Sequence, residues 1–327
     1  MQHRLILAFL CLGAAVAHAS SEDAAAQDDA PSKFAIATRI DHIGRILVPV
    51  TINGQGPFRF IVDTGASRST VAPTLVQKLN LEPAGETSIE VNGITGTARV
   101  PAVPVASLRS GDLTIDAESF PVLWAPLMGG ADGILGVAGL TTQVLSVDFE
   151  HNKVALSNST NSTRPLGYMR IRARRLNGGL LAIPAHVGRV SVIAVIDTGS
   201  ERTLGNLALR DAMNVSPHPG RPLTVATVYG ATTDVVQGET QVAPPIAIEQ
   251  LRITDVTLTF GDFHIFQVWQ LRAAPALIIG MDILGTVGAI TIDFKHEYVY
   301  LQGRGLLSTS NTDALHAYSI LRSGGRH

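Results

Sequence analysis

Cysteine is almost missing from this chain: the one thiol, Cys11, lies in an apolar N-terminal stretch that is expected to be cleaved away. Disulfides, thiolate zinc sites and a cysteine nucleophile are thereby excluded from the mature protein. Aromatic residues make up only 5% and charged residues 16% of the 327 positions, whereas 46% are hydrophobic, which suffices for a buried core and argues against disorder. The formal net charge of −2 supplies no basic field, so nucleic acid is not expected as a partner. Beyond the N-terminus no apolar run is long enough to span a bilayer, and no stable membrane anchor is expected.

Familiar catalytic signatures are also missing. His296 is followed by Glu297, but the second histidine of a zinc-protease helix is absent, and no Gly-x-Ser-x-Gly elbow, Ser-x-x-Lys pair or phosphate-binding loop occurs. The stretch Gly130-Ala131-Asp132-Gly133-Ile134-Leu135-Gly136 lacks dinucleotide spacing and reads as a β-turn entering a buried segment. The ten histidines are scattered; His151 and His296, which occupy repeated positions, read as turn residues and not as a metal site. No metal and no cofactor is implied.

Along the chain, residues 1–19 read as an export signal, with Arg4, an apolar run from Leu5 to Val16, and Ala17-His18-Ala19 before the cleavage point. Leu10 ahead of Cys11 argues against lipidation, since a small residue is wanted there. Residues 20–33 are an Ala-rich acidic leader expected to be disordered. A polar linker, 158–167, separates two halves, 34–157 and 168–302, and the tail 303–327 has no counterpart in the first half. The two Asn-x-Thr sequons near the linker are read as part of a plain linker.

The halves repeat each other. Asp-Thr-Gly occurs at Asp63-Thr64-Gly65 and at Asp197-Thr198-Gly199, each after an apolar run. Pro49 precedes the first aspartate by 63 − 49 = 14 residues and Pro184 the second by 197 − 184 = 13. Gly96 and Gly230 follow by 96 − 63 = 33 and 230 − 197 = 33. Gly133-Ile134-Leu135-Gly136 is matched by Leu277-Ile278-Ile279-Gly280, and Val147-Asp148-Phe149 by Ile292-Asp293-Phe294. Landmarks in one order at one spacing indicate an internal duplication and a single site made from two halves.

Apolar–polar alternation over Val48, Val50 and Ile52, a turn at Asn53-Gly54, and Phe58 to Val62 predict a hairpin that delivers Asp63 to a loop. In the second half, the turn Val187-Gly188-Arg189-Val190 and the run Val192 to Ile196 do the same for Asp197. Short helices are expected after each turn, one starting at Pro73 and one after Gly205-Asn206. The fold expected is therefore all-β with short helices, not a parallel α/β sheet.

The doubled Asp-Thr-Gly, the continuation Ala66-Ser67 and the paired Ile-Leu-Gly and Ile-Ile-Gly segments resemble the aspartic endopeptidases, in particular the retropepsin-like branch, as two such units fused in tandem. The resemblance implies a bilobal acid-protease fold with a catalytic dyad of Asp63 and Asp197 at the lobe interface, and Thr64 and Thr198 cross-linking the two turns. Gly65 and Gly199 are expected to allow a tight turn that a Cβ would hinder. Asn92-Gly93-Ile94-Thr95-Gly96 and Val228-Tyr229-Gly230-Ala231 read as hairpin tips, which in this family close over an extended peptide, with Gly93, Thr95, Gly96, Tyr229 and Gly230 as flap residues. Tyr229 either lines the substrate channel or lies on the hairpin surface. Ser200 is positioned to hydrogen-bond the neighbouring carboxylate. Glu201 either pairs with Arg202 in solvent, the favoured reading, or turns inward as a third carboxylate that would raise the proton affinity of the pair.

Two carboxylates about 3 Å apart repel by roughly 5 kcal/mol at an effective dielectric near 20, which obliges the pair to share one proton. The ionised member then takes a proton from water while the neutral one donates to a substrate carbonyl. The expected protein is a monomeric, exported endopeptidase, periplasmic or secreted, acting on extended polypeptide. The alternatives are a peptide-binding protein that keeps the fold without turnover, and a two-carboxylate glycosidase, which the few aromatics and the paired Thr-Gly motifs disfavour.

Overall fold

In the computed structural model the described residues are 39–40, 44–83, 88–124, 128–160, 165–213 and 224–304. They all belong to one compact unit, Lys33–His327. The expected signal, the leader, the linker residues 161–164 and the tail beyond Arg304 lie outside the described residues.

The first half forms strands β1 (Arg39–Ile40), β2 (Ile46–Ile52), β3 (Gln55–Val62) and β4 (Thr70–Val71), then helix α1 (Pro73–Lys78). Strands β5 (Ser88–Asn92), β6 (Thr97–Ser110), β7 (Leu113–Pro121), β8 (Gly133–Leu135), β9 (Gln143–Asp148) and β10 (Lys153–Asn158) follow. The second half begins with β11 (Met169–Arg172), β12 (Arg174–Arg175), β13 (Leu181–Val187), β14 (Val190–Ile196) and β15 (Leu204–Asn206), then helix α2 (Leu207–Ala212). It continues with β16 (Thr224–Tyr229), β17 (Val235–Val242), β18 (Ile246–Ile248), β19 (Leu251–Ile253), β20 (Thr257–Gly261), α3 (His264–Val268), β21 (Ala276–Ile279), α4 (Met281–Leu284), β22 (Ala289–Asp293) and β23 (Tyr298–Gln302). The protein is thus mostly β, with helices of six residues or fewer.

Each helix begins for a local reason. Pro73 at the first position of α1 brings a φ suited to the helix and no amide that needs a partner. At α2 the side chain of Asn206 caps the helix by accepting from the Leu209 amide at 2.8 Å.

Both halves use the same sheet device. Strands β2 and β3 form an antiparallel hairpin, Leu47 opposite Ile61, and β13 and β14 form its twin, Ala182 opposite Val195. The strand that ends in each aspartate is then flanked in parallel by the later apolar landmark: β3 by β8, with Val62 beside Leu135, and β14 by β21, with Ile196 beside Ile279. Burial on both faces explains why the inner ends of β3 and β14 are continuous apolar runs.

The Val147–Phe149 and Ile292–Phe294 repeats do not end two separate sheets. They meet in a five-stranded sheet of order β10-β9-β22-β23-β11, in which Val147 of the first half pairs with Ile290 of the second. An unpaired edge on each terminal hairpin would expose a row of amides and carbonyls, and mutual pairing removes both edges. Strand β10 runs to Asn158, and Ser159 is buried with its hydroxyl donating to Asp293 at 2.9 Å, so the polar connection leaves this sheet already docked.

One apolar cluster runs through both halves, from Ile46, Phe60 and Phe120 to Phe260, Phe266 and Ile290. Replacing Ile290, fully buried in the shared sheet, with alanine should cost about 2–5 kcal/mol. In a denaturant titration followed by far-UV circular dichroism, both halves should still lose structure in one transition at a lower midpoint.

Candidate active site

The two aspartates stand at the ends of twinned strands. The Asp63 amide donates to Leu135 O and the Asp197 amide to Ile279 O, both at 3.0 Å, so each backbone is tied to the parallel neighbour strand before the turn begins. Each turn then folds its amides back onto its own carboxylate. The Gly65 amide reaches Asp63 Oδ1 at 2.8 Å, while Asp197 Oδ1 receives Gly199 at 2.9 Å and Ser200 at 3.0 Å.

The turns are locked across the lobe interface by a reciprocal square of hydrogen bonds. The Thr64 amide donates to Thr198 Oγ1 and the Thr198 amide to Thr64 Oγ1, both at 3.1 Å. The Thr64 hydroxyl donates to Ile196 O at 2.7 Å and that of Thr198 to Val62 O at 2.6 Å. Both threonines are buried, so each unmade bond would leave an unsolvated polar group.

The glycines serve a purpose other than the turn conformation expected of them. Neither Gly65 nor Gly199 adopts a positive φ. A Cβ on Gly65 would instead overlap the Asp197 carboxyl, and one on Gly199 the Asp63 carboxyl. The constraint is close approach between lobes: each turn is flat where the other lobe's carboxyl must fit.

The two carboxyls lie within hydrogen-bonding reach of each other. Burial raises the proton affinity of Asp63, opposed by the amides of Gly65 and Ala66, by Asp197 and by the charge of Arg45. Burial also raises that of Asp197, further, with the Asp63 charge and the bond between the two carboxyls acting in the same direction. Asp197 is only 6% exposed, whereas Asp63 keeps part of its surface open.

Other expected site residues fall differently. Ser200 reaches Asp197 through its amide alone; its hydroxyl donates to Arg202 O at 2.8 Å, a turn-closing bond. Glu201 points to solvent and pairs with Arg202 at 3.5 Å, away from the carboxyl pair. Gly93, Thr95 and Gly96 form the β5–β6 tip, closed by the Gly93 amide on Gly96 O at 2.8 Å; Tyr229 and Gly230 lie at the β16–β17 tip. The tips touch: Thr95 Oγ1 and Thr232 Oγ1 are 3.0 Å apart and both residues are buried. A Cβ on Gly230 would lie 2.7 Å from Thr95 Oγ1. Tyr229 is 66% exposed and takes the surface alternative.

Three participants escaped the sequence reading. Thr232 meets Thr95 although repeat spacing equates Thr95 with Tyr229. From α3, His264 Nε2 bonds Thr97 Oγ1 at 2.9 Å and Asn92 Oδ1 at 3.1 Å, tying the base of the first tip to the second half. Arg45, 5% exposed, precedes β2 and its charge acts on Asp63.

Asp197 should make stability depend on pH in a definite direction. The folded state holds a proton that the unfolded chain releases near the ordinary value of 3.8, so stability is greatest below that value and falls as pH rises through the raised folded value. Asp197→Asn should therefore gain stability relative to wild type more at pH 8 than at pH 4 in denaturant melts. Thr198→Val, which strands the Thr64 amide and the Val62 carbonyl, should lose about 1–3 kcal/mol in the same melts at either pH.

No curated protein matches the chain. Residues 48–138 match the family described as aspartyl protease, a span that runs from β2 through the Asp63 turn and the β5–β6 tip to just past β8. The strand that delivers Asp63, the β2–β3 hairpin and the apolar strand β8 beside it all fall within the matched span.

Proposed function

We propose that this chain is an endopeptidase in which Asp63 and Asp197 together activate a water molecule against the peptide bond of an extended polypeptide. The aspartyl protease domain supports proteolysis at the level of class. The single observation that carries the finer reading is the carboxyl pair itself, one member from each half, within bonding reach and held at raised proton affinity.

A pair so close keeps one proton between its two titration steps, and those steps belong to the pair. In that window the ionised carboxylate accepts a proton from water as its oxygen attacks the carbonyl carbon, and the neutral carboxyl donates to the carbonyl oxygen. The tetrahedral intermediate collapses as the nitrogen leaves with a proton. Water is the nucleophile, so no acyl-enzyme forms.

The paired tips supply the binding mode. An extended peptide beneath two hairpins can add its backbone to theirs, which gives affinity with limited side-chain preference. Because Thr95 and Thr232 touch, the tips must part to admit substrate, as lids do. We further propose that the protein acts as an exported monomer, periplasmic or secreted, since both carboxylates already reside in one chain.

The test is cleavage of unfolded casein between pH 3 and pH 8. Wild type should cut, and Asp63→Asn and Asp197→Asn should each lower the rate roughly a thousandfold or more. Undiminished cutting by either variant removes the dyad mechanism. Casein binding by wild type without any cleavage removes the peptidase and returns the peptide-binding alternative.

A further inference from the structure

The two halves are not equal in charge around the dyad. Leu47 opposite Ile61 is the last pair of the first hairpin's ladder, and its register continued two residues would bring Arg45 (47 − 2) opposite Asp63 (61 + 2). In the twin hairpin Ala182 pairs with Val195, and the same step sets Leu180 (182 − 2) opposite Asp197 (195 + 2). Directly opposed residues of an antiparallel pair present their side chains on one face, about 5 Å apart at Cβ. On that continued register the neighbour of Asp63 is Arg45, 5% exposed, whose charge acts on it, and the neighbour of Asp197 is Leu180, 1% exposed.

Resting on the peptidase reading above, we propose that Arg45 is a positioning residue that breaks the twofold equivalence of the dyad, fixing Asp63 as the carboxylate that takes the proton from water and Asp197 as the neutral acid that donates to the substrate carbonyl. Backbone amides pull the other way by one bond, because Asp63 Oδ1 receives only Gly65 whereas Asp197 Oδ1 receives Gly199 and Ser200, so the Arg45 charge has to outweigh one amide. Among the described residues the other charges near the turns have partners of their own: Arg68 pairs with Glu118 at 3.8 Å. Glu201 and Arg202 pair with each other in solvent, and Asp282 of α4 is bound by the Thr203 amide and hydroxyl at 3.0 and 2.6 Å. The charged groups acting on Asp63 are Asp197 and Arg45, and the charged group acting on Asp197 is Asp63.

Accessibility favours the same assignment. The neutral acid belongs in the drier position, where a charge is most costly, and Asp197 is the more buried of the two. A guanidinium stays charged at any pH the fold survives, so the bias does not fade across the working range.

The test reads the carboxyls directly and does not require turnover. In protein labelled with carbon-13 at the aspartate carboxyls, with Asp63→Asn and Asp197→Asn as assignment controls, the wild-type resonance that moves in the first deprotonation step should be Asp63. Arg45→Met should raise that step by about one pH unit, whereas Arg45→Lys, which keeps the charge, should restore it to within a few tenths. The acid limb of kcat/KM for casein should move with it. Wild type in which Asp197 ionises first overturns the proposal even if Arg45→Met does not fold, as does a first step unmoved in Arg45→Met or raised equally in Arg45→Lys. Absence of cleavage by wild type would overturn the peptidase reading and leave the carboxyl titration to decide the charge assignment by itself.

Discussion

Two carboxyl groups that repel each other must be held together out of bulk water, and the rest of this structure is arranged around meeting that condition. Left to themselves the two turns would separate, because at about 3 Å the charges repel by roughly 5 kcal/mol at an effective dielectric near 20. The opposing force is the buried threonine square, whose bonds run from each turn to the other lobe's backbone. A hydrogen bond contributes only about 0.5–1.5 kcal/mol net, but breaking one here exposes nothing to water and strands both partners. Proton sharing removes most of the remaining repulsion. The mechanism proposed above asks for the protonation state that stability also favours.

The threonine square would not suffice on two lobes free to rock apart. The shared sheet prevents that: β9 and β22 join edge to edge, while their hairpin partners β10 and β23 carry the pairing outward on each side. At the opposite boundary, the tips meet through Thr95 and Thr232, and His264 holds the base of the first tip. The carboxyl pair is thus fixed by strands below and turns at its own level, and covered by paired hairpin tips. On the peptidase function proposed above, a rigid floor under a cover that can open would hold the carboxyls still while admitting a long chain.

Much of this was legible from residue order because the same landmarks occur twice in the same order. The strand pairs leading to Asp63 and Asp197, the turns that end them and the parallel partners β8 and β21 follow from alternation, turn residues and repeated spacing. Contacts between the halves were harder to see, since a repeat gives each unit its internal plan and is silent on how the units face each other. Gly65 illustrates the difference: its identity suggested an unusual φ, yet the demand comes from a carboxyl 132 positions further along the chain (197 − 65). The shared sheet and the Thr95–Thr232 contact were hidden for the same reason. Arg45 was hidden for a different reason: the turn at Asn53-Gly54 starts a register, Ile52 opposite Gln55, that a bulge between Val50 and Ile52 shifts by one residue before Leu47 meets Ile61.

A single chain can also do what two identical subunits cannot. In a symmetric pair any change at one aspartate is imposed on the other, so the choice of acid and base is left to substrate or chance. With both aspartates in one chain, each position can differ from its counterpart. Ser69 and Thr203 lie six residues beyond their aspartates (69 − 63, 203 − 197) and use their hydroxyls alike, bonding the Gly136 and Gly280 amides, but only Thr203 also captures a carboxylate, that of Asp282. The tip contact joins residues that are not equivalent, and the counterpart of Arg45 in the second half is Leu180. The elements that hold the two aspartates together have stayed matched, whereas those that tell them apart have not. That division is expected if geometry depends on symmetry and proton placement depends on its loss.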